Sequence, residues 1–178
     1  MSSVTRLTEP QESAHRIVNE DEALAVARAL AAEFASGASR RDYERALPHE
    51  ELDRLSASGL LAITVPTEFG GIDVSNAELA EVTAILSEAD SSIGQIPQNH
   101  FYILEALRHD GSEAQKRFYF GRALAGDRFG NALSEVGTKT VGDYNTRIAP
   151  DGAKDMVRRS CWSSAKIATQ WANSTPVE

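Results

Sequence analysis

The chain has 178 residues, enough for one domain and part of another, with 42% hydrophobic and 25% charged residues. Twenty-six acidic against 18 basic side chains leave a net charge of -8, which disfavours a protein that tracks nucleic-acid phosphates with a basic face. No run approaches the roughly 18 apolar residues of a membrane span, the N-terminus lacks the apolar core of a secretory signal, and a single cysteine, Cys161, excludes an internal disulfide and a cysteine-based zinc site. The expectation is a cytoplasmic protein with no metal, no membrane and no nucleic-acid partner.

Residues 1–12 read as a flexible N-terminus, and residues 13–127 as a helical domain. Three helices open on a capping box, in which a short polar side chain caps the first turn and an acid or amide three residues on reaches back. The pairs are Asn19 with Glu22, Ser75 with Glu78, and Ser112 with Gln115. After Asn19, Val26, Leu30 and Phe34 recur every four residues, and Gly37 is expected to end the helix. A further helix is expected from Pro48 to Gly59, with Glu50 and Glu51 in its first turn. Leu60–Val65 reads as an extended connection closed by the turn pair Gly70–Gly71. After Ser75, one face carries Leu79, Val82 and Leu86. An apolar segment from about Ser91 to Arg108 contains Pro97, where a helix either begins or kinks because proline lacks a donor. After Ser112, Phe118, Tyr119, Ala123 and Leu124 supply apolar surface up to Gly126.

Beyond Gly126 the pattern changes. Arg128–Leu133 and Tyr144–Pro150 read as short strands, and Asp151–Gly152 as a hairpin turn. Residues 128–150 are therefore expected to start a β domain, and two strands alone are marginal in water. Residues 151–178 differ from the rest. They carry a net +1 where residues 1–150 carry -9, and they hold Cys161, Trp162 and Trp171, the only residues of their types. This atypical tail is expected to arise from a reading-frame shift near residue 152, or else to be a natural polar terminus.

Sequence motifs of chemistry are sparse. There is no G-x-G-x-x-G after a strand, no G-x-x-x-x-G-K-[ST], no H-E-x-x-H and no G-x-S-x-G. His15, His49 and His109 are expected at the surface, and Glu20–Asp21–Glu22 is a solvated helix start.

The order of short motifs from Arg41 to Thr140 resembles the N-terminal part of the acyl-CoA dehydrogenases and their flavin-dependent relatives. The carriers are Leu47–Pro48, Gly59–Leu61, Val65–Pro66–Thr67–Glu68–Phe69–Gly70–Gly71, Ala89–Asp90–Ser91–Ser92, Gly111–Ser112 with Gln115–Lys116 and Tyr119, and Leu124 with Gly126–Asp127. The family's flavin-contacting strand, Ala-Leu-Thr-Glu-Pro-x-x-Gly-Ser-Asp, is matched by Ala132–Val141. Val136, Lys139 and Val141 replace its proline, glycine and aspartate. These departures, with Gln95–Phe101 and Phe129–Asn131, resemble the sulfur-acquisition oxidoreductase branch, close to the dibenzothiophene monooxygenases.

The resemblance implies a mainly α fold: an N-terminal helical bundle of the acyl-CoA dehydrogenase type followed by the first strands of an incomplete β domain. It implies a flavin cofactor, FAD or alternatively FMN, whose ring needs hydrogen-bond donors that backbone amides and short hydroxyls supply. By carry-over, Leu133 and Ser134 face the pyrimidine edge of the flavin, Thr140 takes the hydroxyl position near cofactor or substrate, and Asn131 donates near N5. His100 is the catalytic candidate, a histidine of the helical domain that faces the flavin and steers a proton there; the bland reading is a satisfied histidine on a half-buried helix. The substrate is an acyl-CoA or a small sulfur compound, a flavin reductase is a possible partner, and the family forms homo-oligomers. The family's remaining strands and C-terminal helices have no counterpart here, so the chain is expected to be truncated and inactive alone. A non-enzymatic helical binding module or gene remnant is the alternative of another class.

Overall fold

The computed structural model describes residues 14–130, Thr140, and the backbone of 147–151 and 154–158. The chain divides into two compact units, Met1–Phe129 and Gly130–Glu178. The described part of the first unit is helical and carries no strand.

Helix α1 runs from Glu20 to Glu44, α2 from His49 to Ala57, α3 from Asn76 to Ala89, α4 from Ser91 to Gln95, α5 from Pro97 to Asp110, and α6 from Glu113 to Leu124. Ser75 and Ser112 form complete capping boxes with Glu78 and Gln115. At α1 the reciprocal half is shifted. Asn19 accepts from the Glu22 N–H, while the Glu22 carboxylate accepts from the N–H of Val18, one residue before the cap, at 2.7 Å. That bond, with His15 beside it, holds the Glu22 carboxyl below its ordinary range.

Gly37 does not end α1, which continues to Glu44. A Cβ at Gly37 would overlap the Arg41 guanidinium, which folds back along the helix there. The glycine makes room for a side chain, and Arg45 in the left-handed region (φ 53°) terminates the helix instead. Pro97 separates α4 from α5 and occupies the first turn of α5, where its missing N–H costs no helix bond.

Leu60–Val65 is not an extended strand. Leu60–Ala62 form a 3₁₀ turn, and Leu60, Leu61, Ala62, Ile63 and Val65 are all buried. A run apolar at nearly every position suits complete burial, and its length alone does not decide between strand and helix. This turn packs against α1, α2, α5 and α6 and so lies at the centre of the bundle.

Two apolar clusters flank it. One joins Ala27, Leu30 and Phe34 of α1 to Val82 and Leu86 of α3, Leu55 of α2 and Ile93 of α4. The other joins Leu104 and Leu107 of α5 to Tyr119, Phe120 and Leu124 of α6, with Ala62 and Val65. Phe101 packs against both. Burial of each large side chain contributes about 2–3 kcal/mol before entropy.

In the second unit, β1 (Arg147–Asp151) pairs antiparallel with β2 (Lys154–Arg158), Asp151 opposite Lys154. The expected strand Tyr144–Pro150 thus overlaps β1. The strand expected at Arg128–Leu133 is absent over Arg128–Gly130, and its remaining residues lie outside those described. No described helix is long and apolar enough to cross a membrane.

Candidate functional site

His100 sits one turn into α5, facing inward, and is 1% exposed. Its Nε2 lies 2.7 Å from the carbonyl oxygen of Leu61, and its Nδ1 accepts from the N–H of Phe129 at 3.1 Å. A carbonyl only accepts and an N–H only donates, so the two bonds together require the neutral tautomer with its proton on Nε2. Burial pushes the ring down to about 4, against the opposing pull of the Leu61 carbonyl, so it is uncharged at neutral pH.

Aromatic rings enclose the imidazole. Phe129 stacks parallel to it at 5.3 Å and 7°, and Phe101 meets it edge-on at 5.4 Å. Phe129 in turn meets Tyr119 of α6 edge-on at 6.0 Å.

The segment after α6 is fastened at each step. Gly126 adopts φ 95°, where a side chain would crowd the Ser56 carbonyl. Asp127 pairs with Arg122 through its carboxylate and donates its N–H to the Arg122 carbonyl at 3.0 Å. Arg128 reaches Asp53 of α2 at 3.3 Å, and Phe129 is tied to His100.

Of the candidate residues, His100 is thus placed in the core of the helical unit. Thr140 is exposed. Asn131, Leu133 and Ser134 lie outside the described residues. His15, His49 and His109 are at the surface, His15 bonded to Glu22 and His109 to Glu105. Sequence patterning gives no sign of the Leu61 carbonyl as a histidine partner, because a backbone oxygen carries no residue signature. Phe129 stands in the lead-in that the motif comparison marks, but its stacking on a residue 29 positions earlier becomes visible only once α5 and the exit segment are folded together.

Residues 19–127 match the family of the acyl-CoA dehydrogenase N-terminal domain. The chain is 36% identical over 120 residues to a probable FMNH2-dependent monooxygenase, SfnC, of Pseudomonas putida, a match covering 67% of this chain and 30% of that protein. Its fold is similar to methanesulfinate monooxygenase MsuC from Pseudomonas fluorescens (TM-score 0.65, 34% identity, 75% of this chain and 33% of that one). It is also similar to FMN-bound TdsC from Paenibacillus sp. A11-2 (TM-score 0.63, 31% identity, 76% and 34%). The chain spans about a third of the length of these relatives. With a helical unit of this order, these motifs and this match, the chain belongs to the acyl-CoA dehydrogenase family, of which residues 19–127 form the N-terminal domain.

Proposed function

We propose that this chain is the N-terminal part of an FMN-dependent monooxygenase that oxygenates a small sulfur compound. The observation that carries the reading is the likeness of the helical unit to MsuC and to FMN-bound TdsC, joined with the 36% identity to SfnC. FMN is preferred to FAD because SfnC is a probable FMNH2-dependent enzyme and TdsC is FMN-bound.

The donor set of the chain fits a flavin. Within ten residues, Asn131, Ser134, Thr138 and Thr140 offer one amide and three hydroxyls, with Glu135 the only carboxylate, and the acceptor-rich edge of an isoalloxazine needs such donors. In the proposed site Asn131, Ser134, Thr140 and the backbone at Leu133 orient the ring. Bound in its reduced form, the flavin supplies the two electrons that let dioxygen give one oxygen atom to sulfur and the other to water. Its reduced form must come from elsewhere, so a flavin reductase is the partner this chemistry asks for, and the whole protein is proposed to be a homo-oligomer.

His100, the catalytic candidate, lies buried in the helical unit. With both nitrogens bonded inside that unit, it holds its proton at Nε2 against Leu61, and donation toward a flavin requires that bond to open.

Titration of the purified chain with FMN, FAD and a CoA thioester, read by flavin absorbance and fluorescence, tests the reading. Saturable perturbation by FMN, unaffected by the thioester, is expected. No saturable flavin signal contradicts it, and a thioester-dependent change of the flavin spectrum favours α,β-dehydrogenation of an acyl-CoA instead.

A further inference from the structure

A main-chain N–H withdrawn from water needs an acceptor, and for half-buried Phe129, in the segment after α6, that acceptor is a side chain on α5. Besides the main-chain bond from Asp127 to Arg122, the other side-chain fastenings of the exit segment are partly exposed ion pairs, Arg122 with Asp127 and Arg128 with Asp53, which contribute little and weaken with salt. Of these side-chain fastenings, the bond to His100 is the one with a buried partner, a ring 1% exposed and stacked on the very residue it holds.

An imidazole suits this place because its donor and its acceptor point away from one another. One ring joins a carbonyl in the central 3₁₀ turn to an amide 68 residues later. No other uncharged side chain offers a donor and an acceptor on opposite edges of a flat ring.

We infer that His100 is a positioning residue: donating from Nε2 to Leu61 and accepting at Nδ1 from Phe129, it staples the last residue of the helical unit to its core and fixes the point from which the chain continues to Asn131. The staple is independent of any ligand; its importance for catalysis rests on the flavin reading of Asn131–Thr140. Its neutral state across the physiological range follows from the same burial that depresses its pKa.

Hydrogen exchange and imidazole nitrogen shifts, measured by NMR on the isotope-labelled full chain, test this. In the wild type, the ring is expected as the Nε2–H tautomer from pH 5 to 8, with the Phe129 amide protected. His100→Asn places an acceptor where Nδ1 stood, His100→Gln places a donor where Nε2 stood, and His100→Phe keeps only the stack. The Phe129 amide should stay protected in His100→Asn. It should exchange roughly tenfold faster in His100→Gln and His100→Phe, as for loss of one hydrogen bond, while the Leu104 and Phe120 amides hold. An Nδ1–H tautomer, an unprotected Phe129 amide in the wild type, or equal protection in the Asn and Gln variants overturns the inference. The wild-type measurements decide it even where a variant fails to fold. A stapled chain that takes up no FMN refutes the flavin reading alone, and FMN uptake by a chain with an open Phe129 amide refutes the staple alone.

Discussion

Arg41 and Asp90, 49 residues apart, form a half-hidden latch between α1 and α4. The Arg41 guanidinium donates to the Asp90 carboxylate at 2.8 Å, to Glu51 at 2.6 Å and to the Phe34 carbonyl at 2.5 Å. The other Asp90 oxygen caps α4 by accepting from Ser92 and Ile93. Burial raises the Asp90 carboxyl, but Arg41 and the two amides outweigh it and hold the group below its ordinary range. Asp90→Ala removes the cap and leaves Arg41 short of a partner, and should cost about 3 kcal/mol in urea unfolding. Asp90→Asn keeps the cap and should cost about half as much.

The adjacent glycines of the Phe-Gly-Gly turn are required for different reasons. Gly70 holds φ 92°, where a side chain is strained but has space. Gly71 faces the Val65 carbonyl and Cβ so closely that a Cβ would overlap both. Gly70→Ala is therefore expected to cost about 1 kcal/mol, and Gly71→Ala about 2–3 kcal/mol because main chain must move. Thermal unfolding of the two variants side by side checks the order; equal midpoints contradict it.

The buried imidazole makes stability depend on pH. The folded His100 takes a proton only near about 4, whereas the unfolded one does so near 6.5. Below 6.5 the unfolded chain binds the extra proton, so stability rises with pH through this window and its His100 contribution is fully present above it. Falling from pH 7 to 4 should remove about 3 kcal/mol through this group. His100→Phe should flatten the slope between pH 5 and 6.5, and an unchanged slope in urea titrations argues against a buried neutral ring. The Asp90 contribution is lost at lower pH, as that carboxylate is protonated below the ordinary range, so the two effects occupy separate windows.

The helix starts were legible because Ser75, Ser112 and Asn19 act locally, within one turn of the amides they satisfy. Gly37 misled because its reason is not local: the missing Cβ serves Arg41, whose partners come from α2 and α4. Leu60–Val65 misled because an unbroken apolar run carries no period. The family motifs then acquire physical meanings. Asp90 of the Ala-Asp-Ser-Ser motif is a cap and a latch, and the two glycines are a left-handed corner and a close approach to Val65. At the site, His100 was legible as a residue worth marking, but its partners were not, since one is a carbonyl and the other an amide. Asn131, Leu133 and Ser134 rest on motif correspondence.

Adding FMN to the isotope-labelled full chain and following every backbone amide by NMR bears most directly on the flavin assignment. Saturable shifts concentrated at Phe129 and across residues 131–140 are expected, with the amides of Ala23 and Ala27 in α1 unmoved. Saturation with shifts confined to α1 and α3, or no shift at any FMN concentration, would contradict that assignment.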